Sequence, residues 1–181
     1  GDIDSIIIQR NFFYISNPDV LGSGTDMIAF FGEDDSGNPT RINNIWILNN
    51  LFKDVDGTAL YMEDSIDNLH VIGNTFWGMN QVRTSVLFHI QVANAEINSG
   101  WEIKNNTFYN NADYDVINNA LSIYADNTAF LFDSTDFDYN NYWTEDSRLD
   151  FARELGGNSY DLSEWADWQS TESQDANSPD P

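Results

Sequence analysis

LHVIGNTF, residues 69–76, is one of five copies of an octad that recurs along the chain. Each copy has two apolar residues two places apart, then an Asn, then an aromatic residue two places after that Asn; the last copy is degenerate. A repeat of this kind determines the architecture before any other feature of a sequence. The other copies are IIIQRNFF (6–13), IWILNNLF (45–52), WEIKNNTF (101–108) and TDFDYNNY (135–142).

The start of each octad predicts a β-strand with one buried face. Its first and third residues are apolar, whereas the residue between them changes from Ile7 to Trp46, His70, Glu102 and Asp136. A period of two is the signature of a strand, so we expect the variable residue to point outward. A second β-rich run follows each octad, and the spacing between successive octad Asn residues varies from 24 to 39 residues.

A constant strand motif with connections of variable length favours a solenoid of stacked coils. Equivalent residues would then lie roughly 4.8 Å apart, which is the spacing of strands in a sheet. Such stacking predicts one ladder of side-chain amides at a turn and one ladder of rings in the core. The amides are Asn11, Asn50, Asn74, Asn106 and Asn140, and the rings are Phe13, Phe52, Phe76, Phe108 and Tyr142.

The rhythm I-x-I-x-x-N-x-F resembles the repeat of the right-handed parallel β-helix proteins, a group that includes polysaccharide lyases and glycoside hydrolases. DYNNY (138–142) is similar to their closing coil, and LSEW (162–165) with QDANSPDP (174–181) is similar to their ending, where Asn177 replaces a common His. The resemblance implies an all-β fold, a right-handed single-stranded parallel β-helix of about five coils in residues 1–143 with a helical and irregular C-terminal cap in residues 144–181. It says less about activity, because one fold carries many functions.

Residues 144–181 depart from the repeat and are predicted to cover the last coil, because an open solenoid end exposes strand edges and core. Ser147–Leu155 (SRLDFAREL) has helical spacing, and Gly156-Gly157 is expected to stop that helix. Asp161 followed by Glu164 is a capping-box pattern that predicts the start of a second helix. The cap is therefore expected to combine helices with a polar arm.

The charge balance disfavours several classes of partner. The chain has 30 acidic and 7 basic residues and a formal net charge of -23. Nucleic acid and anionic membrane surfaces are recognised through Lys and Arg, so neither is an expected partner. No segment is apolar enough for a membrane helix, so membrane insertion is not expected. An acidic polysaccharide would be repelled, and a neutral glycan is therefore favoured.

The outward column of the first sheet is the candidate functional site, because the resemblance implies an active groove along this face. Trp46 is predicted to stack a sugar ring, with His70 beside it as a second substrate-binding residue. Glu102 and Asp136 form a candidate catalytic carboxylate pair, since glycoside hydrolysis needs two carboxylates, roughly 5 Å apart in retaining enzymes. A lyase needs a base instead, for which His70 or Lys104 is the candidate. Solvated residues without a function are the competing interpretation.

Clusters of acidic residues make calcium a possible cofactor, since Ca²⁺ takes about six to eight oxygen ligands. Asp54 and Asp56 are the metal-site candidates, and Asp113 with Asp115 and residues 33–35 are similar clusters. None of them has EF-hand spacing, and a solvated turn is the competing interpretation for each.

Two functions remain open at this point. The first is an extracellular carbohydrate-associated domain that binds or processes a polysaccharide along its outward sheet face. The second is a non-catalytic structural or adhesive solenoid, such as a surface stalk, filament or spike segment. Ile3 lies almost inside the first octad, so we expect a piece of a longer protein whose open N-terminal end allows self-association or further coils. An extracellular or cell-surface location is expected, and the lack of Cys gives no redox signal of compartment.

Overall fold

Short β-strands make up most of the chain that the structure describes. The computed structural model describes residues 4–14, 26–31, 42–55, 58–63, 66–79, 86–91, 99–110, 121–125, 135–146, 150–154 and 159–179. A 3-10 turn (Leu162–Glu164) and helix α1 (Trp165–Thr171) follow the last strand. In chain order the strands are β1 (Ile6–Gln9), β2 (Phe12–Tyr14), β3 (Asp26–Phe31), β4 (Ile42–Leu48), β5 (Leu51–Val55), β6 (Thr58–Glu63), β7 (Ile66–Ile72), β8 (Thr75–Met79), β9 (Val86–Gln91), β10 (Glu102–Lys104), β11 (Thr107–Asn110), β12 (Leu121–Ala125), β13 (Asp136–Asp138), β14 (Asn141–Thr144), β15 (Asp150–Glu154) and β16 (Ser159–Asp161).

The strands form three parallel sheets, and each sheet takes every third strand of the chain. Sheet A has the order β1-β4-β7-β10-β13, sheet B the order β2-β5-β8-β11-β14, and sheet C the order β3-β6-β9-β12-β15, with β16 added antiparallel to β15. The chain therefore passes through sheets A, B and C five times in turn. We call each passage a coil, from coil 1 (β1–β3) to coil 5 (β13–β15). The predicted all-β protein with parallel sheets is confirmed.

The predicted ladder of core rings runs through sheet B. Neighbouring rings of the ladder are nearly parallel, with planes within 9° of each other and centroids 4.8–5.2 Å apart. Each stacked pair contributes about 0.5–1.5 kcal/mol beyond the burial of its surface. The ladder consists of Phe13, Phe52, Phe76, Phe108 and Tyr142, of which all but Phe13 are buried.

The octad Asn residues form the predicted amide ladder at the corner between sheets A and B. Asn74 donates its backbone N–H and its side-chain Nδ2–H to the Oδ1 atom of Asn106 in the next coil, at 2.9 and 3.1 Å. Its Nδ2 also donates to the Ile47 carbonyl of the preceding coil at 2.7 Å. The same two ladder bonds join Asn11 to Asn50, Asn50 to Asn74, and Asn106 to Asn140. All ladder bonds therefore run in one direction, from coil 1 towards coil 5.

The residue before each ladder Asn turns the corner with a left-handed backbone. Arg10, Asn49, Gly73, Asn105 and Tyr139 have φ angles between 54° and 70°. A Cβ atom at Gly73 would lie 2.6 Å from Asn49 Oδ1, which is closer than such atoms approach. A side chain at this position would be strained by the left-handed backbone, which the other four corners accept with Arg, Asn or Tyr, and its Cβ would force the Asn49 side chain to shift.

A second asparagine corner lies near the start of the sheet A strands, and the sequence analysis did not predict it. Asn44 and Asn68 have φ angles of 56° and 53°, and Gly100 has 69° at the equivalent place of the next coil. Asn68 Nδ2 donates to Asn44 Oδ1 at 3.3 Å, and Asn44 Nδ2 donates to the Asp4 carbonyl at 2.9 Å. These side chains link coils 1 to 3 at the N-terminal ends of the sheet A strands, whereas the main ladder follows their C-terminal ends.

The predicted helix over Ser147–Leu155 is wrong where the chain is described. Asp150–Glu154 forms strand β15, which pairs in parallel with β12 and antiparallel with β16. Phe151 and Ala152 are both fully buried, beside a β-bulge or other irregularity in the pairing with β16. By pairing with β12, β15 satisfies the backbone N–H and C=O groups on the edge of β12. These groups would stay unpaired if Asp150–Glu154 were helical, so tertiary pairing overrides the local helical pattern.

The second predicted helix is confirmed. Asp161 accepts a hydrogen bond from the Ser163 N–H at 2.7 Å, and Glu164 accepts one from the Asp161 N–H at 3.1 Å, which completes the capping box. The 3-10 turn starts there and continues into α1, whose Trp168 is fully buried. The predicted stop at Gly156-Gly157 lies outside the described residues. In the described chain no helix combines the length and the apolar character that crossing a membrane requires.

The C-terminal arm closes the amide ladder at coil 5. Asn140 Nδ2 donates to Asp175 Oδ1 at 3.0 Å, and the Asn140 N–H donates to Ser178 Oγ at 2.7 Å. The second carboxylate oxygen of Asp175 accepts from Tyr142 Oη and Trp168 Nε1 at 2.9 and 3.0 Å. Burial raises the pKa of Asp175. Burial, together with the neighbouring Asp175 charge, raises the pKa of Tyr142. Asp175 thus takes the place that a sixth asparagine would hold.

Candidate functional site

Four of the predicted site residues lie side by side on the outer face of sheet A. The strand register pairs Trp46 with His70, His70 with Glu102, and Glu102 with Asp136. Ile7 precedes Trp46 in the same register. We call these five residues the outer row. The repeat alone predicts this order, because equivalent octad positions occupy neighbouring strands.

Trp46 and His70 stack on each other at the start of the polar part of the outer row. Their ring centroids are 5.2 Å apart and their planes differ by 10°. His70 therefore covers one face of the indole. The other face is turned towards coil 1, where Ile7 has 60% of its surface exposed. A sugar ring can reach only that second face or the indole edge.

His70 is held by the carboxylate of the next coil. Its Nδ1 lies 2.8 Å from Glu102 Oε2. An ionised carboxylate only accepts hydrogen bonds, so Nδ1 carries the proton in this pair. In the neutral ring Nε2 is then an acceptor. The hydrogen bond from His70 is the largest cause that lowers the pKa of Glu102, and the nearby Lys104 lowers it further.

Lys104 joins the two predicted catalytic carboxylates. Its Nζ lies 2.5 Å from Asp136 Oδ2 and 3.6 Å from Glu102 Oε1. The hydrogen bond to Asp136 is the main reason that the pKa of Lys104 is raised. These side chains are a quarter to a half exposed, so each ion pair contributes about 1 kcal/mol or less.

The C-terminal arm reaches the same face one column further along. Asp138 follows Lys104 in the strand register. Its two carboxylate oxygens accept from the N–H and the Nδ2–H of Asn177, at 2.8 and 2.7 Å. Burial alone would raise the pKa of Asp138, but the bonds from Asn177 and from the Tyr139 N–H, together with the nearby Lys104 charge, outweigh it and lower that pKa. Asn177, which departs from the family resemblance, thus holds the arm to the end of this face.

The protonation states limit the chemistry of this site. Hydrolysis needs one carboxylic acid that is protonated near neutral pH, whereas the lowered pKa keeps Glu102 ionised. A lyase base must be unprotonated, whereas the raised pKa keeps Lys104 charged. His70 Nε2 is the remaining candidate for a base, since Glu102 orients the ring as a carboxylate orients the histidine of a catalytic dyad. The arrangement is best suited to hydrogen bonding.

The calcium candidates are only partly covered by the described chain. Asp54 belongs to strand β5, and Asp56 lies outside the described residues, as do Asp113, Asp115 and residues 33–35. Within the described ranges no group of three or more His, Asp or Glu side chains is placed to hold a metal ion. The proposal of calcium at Asp54 and Asp56 therefore stays a prediction.

A row of exposed and half-buried aromatic residues on the outer face of sheet B was missed by the sequence analysis. Trp77 stacks on Tyr109 with centroids 4.8 Å apart, and Tyr109 stacks on Trp143 at 4.3 Å. At the other end Lys53 Nζ lies 5.9 Å above the Tyr14 ring. The rings cover each other's faces, so the row presents ring edges to the solvent. The sequence does contain a signal for this row, because the residue directly after each core aromatic of the octad is aromatic in four of the five copies. These residues are Tyr14, Lys53, Trp77, Tyr109 and Trp143.

Comparisons with protein-family models, with curated proteins and with solved structures find no match to this chain. Function must therefore be inferred from the site itself.

Proposed function

We propose that the three sheets are the faces of a right-handed parallel β-helix. The support is the strand order, in which each strand returns to its own sheet after one passage through the other two. Crossover connections between parallel strands of one sheet are right-handed in about 98% of proteins. This architecture presents the outer row along the axis of the helix, with one side chain from every coil.

We propose that the outer face of sheet A binds a neutral polysaccharide at an extracellular or cell-surface location. The observation that carries this proposal is the continuous bonded series Trp46, His70, Glu102, Lys104 and Asp136 across four coils. The series offers an aromatic edge, charged acceptors and an ammonium donor, which are the groups that hydroxyl-rich ligands need. A chain of sugar rings that lies along the axis can contact each member in turn.

The charge of the protein favours an uncharged ligand. At a net charge of -23, a polyanionic glycan meets repulsion over the whole surface. Lys104 does not offset this repulsion, because Asp136 and Glu102 already neutralise it locally. Hydroxyl groups can share the exposed lone pairs of these carboxylates without such a penalty.

Binding is favoured over hydrolysis because both carboxylates of the pair are engaged with the same ammonium group. Neither Glu102 nor Asp136 has the apolar surroundings that keep a general acid protonated, since their side chains are 42% and 55% exposed. The pKa of Glu102 is lowered by its bond to His70 and by Lys104, so this carboxylate serves as a hydrogen-bond acceptor. The proposal is therefore a binding face and not a hydrolytic centre.

Titration of neutral polysaccharides into the protein by calorimetry tests the proposal. Trp46→Ala is expected to weaken binding by roughly tenfold, because it removes the aromatic contact and releases His70. Trp143→Ala is the matched control, since it removes an exposed Trp from sheet B and leaves the outer row intact. Equal affinities of the two variants would exclude the outer row, and the absence of binding by the unmodified protein would reject the proposal.

A structural or adhesive solenoid is the second candidate function, and the continuous ladders favour it. The amide ladder and the core ring ladder both extend through all five coils, so they join the coils into one stack. This candidate predicts that no glycan binds and that substitutions in the outer row change neither binding nor assembly. The same calorimetric series therefore separates the two functions.

A further inference from the structure

Asn105 is the one asparagine of this sequence that stands in the acceptor pattern for N-glycosylation. The pattern is an Asn followed two places on by Ser or Thr, with any residue except Pro between them, and Asn105-Asn106-Thr107 fits it. Asn38-Pro39-Thr40 has the excluded Pro, and no other Asn has Ser or Thr at the required place. The sequence therefore contains a single acceptor.

Asn105 stands at the corner between sheets A and B, and it is exposed. Its φ angle of 56° is the left-handed value that the corner requires, and Asn adopts this conformation more readily than most residues. Its backbone N–H donates to the Asp138 carbonyl at 3.3 Å. Within the described chain its side-chain amide makes no hydrogen bond, so a substituent on Nδ2 breaks no contact of the fold.

The neighbouring Asn106 is unsuited to carry a glycan. It is 1% exposed, and its Nδ2 donates to the Val71 carbonyl and to Asn140 Oδ1 at 2.7 and 3.1 Å. A sugar on that nitrogen would displace a bond of the amide ladder. The acceptor pattern falls on the exposed member of this Asn-Asn pair and not on the ladder member. Sequence and fold therefore agree on one nitrogen atom.

The hydroxyl group of Thr107, the third residue of the pattern, is not needed by the fold. Strand β11 alternates between half-buried and buried residues, and Thr107 is a half-buried one on the outer face of sheet B. In the part of the chain that the structure describes, its hydroxyl makes no hydrogen bond. The equivalent residue is Leu51 in coil 2 and Asn141 in coil 5. A hydroxyl is thus required at this place by the acceptor pattern and not by packing.

We propose that Asn105 is an N-glycosylation site. The donor is a sugar that is linked through a phosphate group to a membrane lipid, and a membrane-bound transferase supplies a base. Asn105 Nδ2 attacks the anomeric carbon of the sugar, so that a C–N bond forms and the C–O bond to the phosphate breaks. The lipid phosphate leaves with the bonding electrons, and Nδ2 gives one proton to the base. This inference rests on the extracellular location proposed above, and it is independent of ligand binding by the outer row.

The attached glycan lies beside Tyr139, the corner residue of coil 5. Coils 4 and 5 are neighbours in both sheets that meet at this corner, so the two residues are roughly 4.8 Å apart along the axis. Tyr139 is 53% exposed and presents apolar surface against which the first sugar packs. The glycan therefore covers a corner that is otherwise exposed to water.

Glycopeptide mass spectrometry of the protein purified from the cells that naturally produce it tests the proposal. The peptide that contains Asn105 is expected to carry a glycan on that residue. In the same cells Asn105→Gln and Thr107→Ala are each expected to abolish the modification, whereas Thr107→Ser keeps the acceptor pattern and should keep the glycan. Thr107→Ala is the sharper of the two losses, because it leaves the acceptor nitrogen and the corner in place.

Asn49 is the matched internal control, because it is the exposed corner residue of coil 2, has a φ angle of 54° and is followed by Leu51 instead of a hydroxyl residue two places on. It is expected to be unmodified in the same sample. An unmodified Asn105 would overturn the proposal. A glycan on Asn49 as well, or one on Asn105 that persists in Thr107→Ala, would also overturn it, because attachment would then not follow the pattern. Calorimetry of Asn105→Gln with neutral polysaccharides measures the outer row separately, so failure of this inference and failure of the proposed function are distinguishable.

Discussion

Asn74→Ala is expected to be strongly destabilising although it removes only a small polar side chain. The Asn74 side chain makes four hydrogen bonds, accepting from the Asn50 N–H and Nδ2–H and donating to the Ile47 carbonyl and to Asn106 Oδ1. Asn74 is 1% exposed and Asn50 is 2% exposed, so water cannot replace these partners. Each buried group left without a partner costs about 1–3 kcal/mol. We expect a loss of about 3–6 kcal/mol in the free energy of unfolding.

Urea unfolding followed by circular dichroism measures this loss as the change in the extrapolated free energy at constant m-value. Asn11→Ala is the matched control, because Asn11 is exposed and, among the described residues, bonds to one ladder neighbour, Asn50. It should cost about 1 kcal/mol or less, since exposed groups are solvated by water after the change. If Asn74→Ala costs no more than Asn11→Ala, the amide ladder does not stabilise the stack and the reasoning is refuted.

Three further outcomes are expected. Burial raises the folded-state pKa of Asp175, so the stability it contributes is present below its unfolded pKa and is lost as pH rises through the folded value. Urea unfolding of the wild type and of Asp175→Asn across acidic pH tests this: only the wild type should show this fall in the free energy of unfolding with rising pH. The lowered pKa of Glu102 has the opposite sign, because its contribution is present above the unfolded pKa and is lost as pH falls through the folded value. A double-mutant cycle of Glu102→Gln with His70→Ala should give a coupling of about 1 kcal/mol or less, and a larger value would mean that the pair is not solvent-screened. Gly73→Ala should cost about 1–3 kcal/mol from its φ of 70° and its close approach to Asn49 Oδ1. Because Asn49 itself has a φ of 54°, the same change is also measured in an Asn49→Ala background: a smaller cost there shows that the approach is a cause, and an equal cost assigns it to the backbone alone.

The octad carried enough information to predict the order of residues in sheets A and B. Its period of two separated inward from outward side chains, and its fixed Asn set the register between coils of unequal length. The neighbours Trp46, His70, Glu102 and Asp136 follow from these two facts alone. The fold could be anticipated to this extent because identical positions of stacked coils must meet.

Other features depend on contacts that no local pattern displays. The helical spacing around Phe151 was overridden by the edge of β12, which is 25 or more residues earlier in the chain. The ion pairs of Lys104 depend on side-chain torsions that place its ammonium group between two coils. Asp175 resembled any solvent-exposed acidic residue of the arm until the fold placed it under Asn140. Such pairings arise between distant segments, so sequence spacing does not encode them.

The arm gives the ladder a closed end at coil 5. In a stack that contacts only nearest neighbours, a coil is held by its own stability and by one interface for each neighbour. Coil 5 is held by coil 4 and by the arm, which bonds Asn140 through Asp175 and Ser178. The arm therefore acts as a second neighbour, and local opening at coil 5 must first release it. Amide exchange in β13 and β14 should accordingly be slow, although both strands stand at the end of their sheets.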